Sequence, residues 1–110
     1  MQRGSVLQHI PESNDAEIFE DLVVGDTFRL ERIISCGQAT PEQEWYDQEQ
    51  DEWVLLLTGS AAIQFENQPH SIQLEAGDYL LIPAHNRHRV LWTDKKEKSI
   101  WLALHYKGQL

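Results

Sequence analysis

The chain has 110 residues, the size of one domain with one core, and its 41% hydrophobic and 25% charged residues mark a folded chain, not a disordered tail. Eighteen Asp and Glu residues against nine Lys and Arg leave a formal net charge of −9. A surface this acidic repels phosphate backbones and anionic lipid, so no nucleic acid and no membrane is expected as a partner.

The single cysteine, Cys36, leaves no internal disulfide and fits a reducing compartment. Its neighbours Ser35 and Gly37 offer no activating base, so a structural role at a strand end is expected. Residues 1–11 lack the apolar centre of a signal peptide, and no run approaches the roughly 20 apolar residues of a membrane helix. Cytoplasmic localisation is the expectation.

Residues 1–25 read as a polar arm with one short strand around Ile18 and Phe19, and residues 26–110 as the barrel domain proper. Gly25-Asp26 is a turn, and the β-branched and aromatic residues from Thr27 to Ser35 predict a strand. Cys36 to Pro41 breaks it. The acid-rich stretch from Pro41 to Glu52 has helix-forming Glu and Gln but crowded carboxylates and no apolar stripe at helical spacing, so a loop leading into an extended segment is expected. From Trp53 onward, turns at Gly59-Ser60, Asn67-Pro69, Ala76-Asp78, Pro83-Asn86 and Asp94-Lys98 separate six short strands: Trp53–Thr58, Ala61–Glu66, Ser71–Leu74, Tyr79–Ile82, Arg87–Thr93 and Ser99–Tyr106. Short strands at this spacing predict an all-β sandwich or barrel.

Two motif frames narrow the fold. Glu52 is followed after six residues by Gly59; Gly77 is followed by Pro83, His88 and Trp92, within the block "GDYLLIPAHNRHRVLW". The chain resembles the cupins over residues 26–106. The resemblance implies a double-stranded β-helix, a jelly-roll barrel whose mouth holds the ligand site. It also implies a divalent metal, manganese, iron or zinc, because many cupins hold one with two histidines and a glutamate from the first motif and a histidine from the second. Here Glu52 and His88 keep their positions, but both first-motif histidines are replaced. In a wider spacing their slots hold Trp45 and Asp47; in a tighter one, Tyr46 and Gln48. His85 stands where the second motif usually has glycine, and Trp92 where it has asparagine.

The candidate metal ligands are therefore Asp47, Glu52 and His88, an oxygen-rich set suited to manganese, iron or magnesium better than copper. Glu52, as base or ligand, and His88, as ligand or acid, are the candidate catalytic pair. Trp45, Tyr46, His85, Val90 and Trp92 are the candidate pocket residues. His88, Val90 and Trp92 alternate along one strand, which predicts that Trp92 faces inward with His88. Plainer roles stand beside these. Glu52 is equally readable as a buried carboxylate paired with Arg87 or Arg89, and His88 as its hydrogen-bond partner with no metal between them. His105 reads as a satisfied core or edge histidine. The function implied is a small-molecule-binding cupin, either a metal-assisted enzyme on a small organic substrate or a non-catalytic sensor, with a structural dimer whose pocket fills itself as a third reading. Small cupins often pair, and a homodimer is expected, with the arm around Ile18 and Phe19 as the candidate strand for exchange.

Overall fold

Alternation decides the architecture. In Asp51–Thr58 the even-numbered residues Glu52, Val54 and Leu56 are buried while their odd neighbours are partly exposed, the period of a strand with one face on a core. The computed structural model describes residues 1–12 and 14–108, which form eight strands. These are β1 Ile18–Val24, β2 Phe28–Ser35, β3 Asp51–Thr58, β4 Ser60–Phe65, β5 Ile72–Glu75, β6 Tyr79–Ile82, β7 His88–Thr93 and β8 Ser99–Tyr106. They build an antiparallel sheet of order β1-β2-β8-β3-β6 facing a second of order β5-β4-β7. Val54, Leu56, Ala61, Ile63, Phe65, Leu74, Ile82 and Trp101 fill the space between them. The all-β jelly roll is as expected, and no helix of the described residues is long and apolar enough to cross a membrane.

Gly59, expected as a turn, is the corner at which the chain leaves one sheet for the other. Thr58 ends β3 in the large sheet, and Ser60 opens β4 in the small one. The corner needs φ +81° and close passage past Ser99, both natural to glycine alone. The acid-rich stretch before β3 is irregular, as expected. It is tied down at Tyr46, whose backbone exchanges hydrogen bonds with His88 on β7.

β1 pairs with β2 of its own chain, Ile18 opposite Ile34 and Glu20 opposite Arg32. Preceding residues fold back over the outer face of β2, held by one buried cation. Arg32, only 5% exposed, donates to the carbonyls of Val6, Gln8 and His9 and to Glu20 Oε1, the last at 2.6 Å from Nη2.

Candidate functional site

Three adjacent strands of the large sheet, β2, β8 and β3, turn one polar side chain each toward the interior at the same end: Glu31, His105 and Glu52. β7 of the opposite sheet contributes His88. All four are buried, between 5% and 7% exposed. They line a cavity of about 90 Å³ together with Glu17, Tyr46, Gln48, Val90 and Trp101. Phe19 on β1 closes one side.

The hydrogen bonds fix how these groups are presented. His88 Nδ1 lies 3.0 Å from the carbonyl of Asn86, which only accepts, so Nδ1 carries a proton and Nε2 faces the cavity. Tyr46 and Phe65 flank the ring, with centroids 5.6 and 5.9 Å away. His105 Nε2 donates to Glu31 Oε1 at 2.8 Å, an imidazole oriented by a carboxylate. Glu52 sits between the two imidazoles, Oε1 4.0 Å from His88 Nε2 and Oε2 4.0 Å from His105 Nε2. These separations exceed a direct hydrogen bond. Glu52 Oε1 is buried with no hydrogen-bond partner among the described residues, as is Gln48 Oε1 on the same cavity. Tyr46 shows the sign of the local field: burial first, then the charges of Glu17, Glu52 and Glu44, push its phenol above the ordinary tyrosine range against a hydrogen bond with Thr40.

Of the residues singled out in the sequence, Glu52, His88, Tyr46 and Val90 meet at this cavity. Asp47 does not: its Oδ1 lies 2.9 Å from His85 Nδ1, and both side chains are well exposed. The cavity holds the tighter motif pair, Tyr46 and Gln48, and not Trp45 and Asp47. Trp45 lies under the Arg89 guanidinium, 6.0 Å from its ring centroid. Trp92 corrects the alternation argument. β7 pairs Val90 with Ile63 but Trp92 with Ala62, so Leu91 is a bulged residue that resets the period. His88 and Thr93 are buried as a result, and Trp92 is 41% exposed. Neither arginine reaches Glu52: Arg87 pairs with Glu66 at 2.8 Å, and Arg89 donates to the Thr40 carbonyl. Glu31 was missed, and His105, read as a satisfied core or edge histidine, is buried and bonded to Glu31 but also lines the cavity. Their one sequence signal was parity with Ile33 and with Trp101, whose partner strands were unknown.

This donor set does not fit the metal the resemblance implies. Among the described residues, no group of three or more His, Cys, Asp or Glu side chains is disposed to hold an ion. Asp47 faces His85, His105 Nε2 is committed to Glu31, and Glu52 stands 4.0 Å from either imidazole.

A profile of the cupin domain matches residues 33–105. Among solved structures, a Ralstonia eutropha JMP134 protein provisionally named a mannose-6-phosphate isomerase superposes with a TM-score of 0.95 at 42% identity, covering 98% of this chain and 100% of that one. A cupin superfamily protein of Desulfitobacterium hafniense DCB-2 gives 0.77 at 22% identity, over 98% and 94%. A conserved Streptococcus pyogenes protein gives 0.75 at 17% identity, over 99% and 90%. Comparison with functionally curated proteins returned no match. With most of the barrel inside the profile, and a relative of this identity matched along its whole length, the chain belongs to the cupin family.

Proposed function

We propose that the barrel mouth binds a compact polar organic molecule anchored on Glu52. One observation carries this reading: a buried carboxylate oxygen that faces a cavity and has no hydrogen-bond partner. Leaving such a group unpaired costs about 1–3 kcal/mol or more, a cost that a bound donor removes. Glu52 then serves as acceptor or base, and His88, whose Nδ1 carries the proton, presents Nε2 to the ligand as a further acceptor. The His105–Glu31 pair, an imidazole oriented by a carboxylate beside Glu52, favours acid–base chemistry over a purely passive sensor.

The provisional name of the Ralstonia eutropha relative does not carry over easily. A hexose phosphate brings a dianion, and among the described residues no lysine or arginine lines this cavity. Its volume of about 90 Å³ is also small beside the ~300 Å³ at which ordinary ligand pockets begin. Manganese, iron or zinc at Asp47, Glu52 and His88 would require Asp47 to leave His85. Stoichiometric metal in protein purified without chelator, lost in Asp47→Ala, would establish that rearrangement.

A thermal-shift screen of small polar molecules tests the binding reading. A true ligand at about 100 times its Kd stabilises the wild type by about 2.7 kcal/mol. Glu52→Ala should lose that response while keeping a cooperative melt. Equal stabilisation of both proteins, or none in either, would sink it.

We also propose a homodimer, formed through the outer face of the large sheet. Paired residues run across it as Val23–Leu30–Leu104–Trp53–Leu81, with Leu102–Leu55–Tyr79 alongside. Tyr79 and Leu81 are 66% and 54% exposed, more apolar surface than a solvated face usually presents. β1 pairs with its own β2 and stands at the edge of the sheet, so face-to-face packing is proposed beside exchange of the arm. Sedimentation at micromolar concentration should give a dimer that Leu81→Lys dissociates. A wild-type monomer would refute it.

A further inference from the structure

We propose that the ligand is an organic cation with N–H donors, an ammonium or guanidinium head of a few heavy atoms. This rests on the reading of Glu52 as anchor and adds the charge and chemistry of what it holds.

The charges around the cavity are lopsided. Glu17, Glu31 and Glu52 line it, and among the described residues no lysine or arginine does. Two of the three carboxylates have local partners: Glu17 Oε2 accepts from Ser35 Oγ at 2.7 Å, and Glu31 accepts from His105 at 2.8 Å and, on its other oxygen, from Arg29 at 3.4 Å. Glu52, with its side chain 9% exposed, has none within hydrogen-bond distance among the described residues. A buried carboxylate in this state favours a positive partner over an anion.

Hydrogen-bond polarity selects further. The two unpartnered atoms at the cavity, Glu52 Oε1 and Gln48 Oε1, are both acceptors. A ligand that satisfies them must donate twice, as a primary ammonium or a guanidinium does and a quaternary ammonium does not. Phe19, Tyr46 and Trp101 add aromatic surface, the other element of organic-cation recognition. The volume agrees. About 90 Å³ is several times the ~10–15 Å³ that holds one water, room for a small molecule. A bare divalent ion would need three or more donors drawn to roughly 2.0–2.3 Å. The carboxylates and imidazoles here are not so disposed, and the walls include Ile63, Ile82 and Val90.

The test titrates full-length protein, at constant ionic strength, with methylammonium, guanidinium, tetramethylammonium, acetate, glycerol and Mn²⁺. Binding is followed at the indole N–H resonance of Trp101, assigned by Trp101→Phe. Methylammonium and guanidinium should shift it saturably, tetramethylammonium at least about tenfold more weakly, and acetate not at all. Glu52→Gln, which keeps shape and removes charge, should weaken methylammonium about tenfold or more. Should that variant fail to fold, Glu17→Gln must weaken methylammonium measurably, or the charge argument falls. Glycerol binding as tightly as methylammonium would overturn the cation while leaving Glu52 as an anchor. Saturation by Mn²⁺ at micromolar concentration would overturn it in favour of a metal. No shift with any compound would sink the cation and the binding reading together.

Discussion

Gly59→Ala is expected to lower the stability of the chain by about 3 kcal/mol or more. A left-handed conformation costs an L-residue about 1–2 kcal/mol before any contact is considered. At this corner the added Cβ would also sit 2.7 Å from Ser99 Cα, a backbone atom of β8 that cannot turn away as a side-chain tip can. Relief requires moving either the β3–β4 corner or the start of β8, where Ser99 Oγ donates to Ser60 O and Gly59 N donates to Glu97. Gly77 is the matched control. Its φ is +96°, but nothing lies within 4 Å of its added Cβ, so Gly77→Ala carries the conformational cost alone, about 1–2 kcal/mol. Denaturant titrations of both variants read the difference. Equal losses would mean that the passage past Ser99 is looser than described.

Trp101→Ala should cost about 3–5 kcal/mol, the range for removing a buried aromatic side chain. The indole is 4% exposed, belongs to the core between the sheets and forms part of the cavity wall. Its N–H donates to Ser35 Oγ at 3.2 Å, and Ser35 in turn donates to Glu17. Removing the ring therefore opens the cavity into the core and frees the hydroxyl that holds one of its carboxylates. For a chain of this length, such a loss lowers the melting temperature by at least about 10 °C. A melting temperature within a few degrees of wild type would show that the core collapses around the deletion, and would remove Trp101 as a structural wall.

Much of the fold was legible because it depends on local signals. Turn residues separate the strands from Trp53 to Tyr106, and alternation within each strand names its buried face, as Ile63 and Phe65 or Ile72 and Leu74 illustrate. The frame from Glu52 to His88 placed two of the four buried polar groups in the mouth. The other two depend on strand order. Glu31 and His105 are 74 residues apart and meet only because β2 lies beside β8 in the closed sheet. Nothing in their immediate sequence separates them from ordinary strand residues. Trp92 failed for a different reason: alternation assumes an unbroken ladder, and the bulge at Leu91 breaks it. Asp47 lies in irregular chain, where no period exists to say which way a side chain points.

The most direct test of a ligand anchored on Glu52 is the electron density of wild-type crystals soaked with a compound that stabilises the protein in solution. A donor atom of that compound should lie about 3 Å from Glu52 Oε1, between His88 and His105, with Trp101 beside it. The compound seated in the groove beneath the N-terminal arm at Arg32, with the Glu52 cavity holding only water, would contradict the assignment.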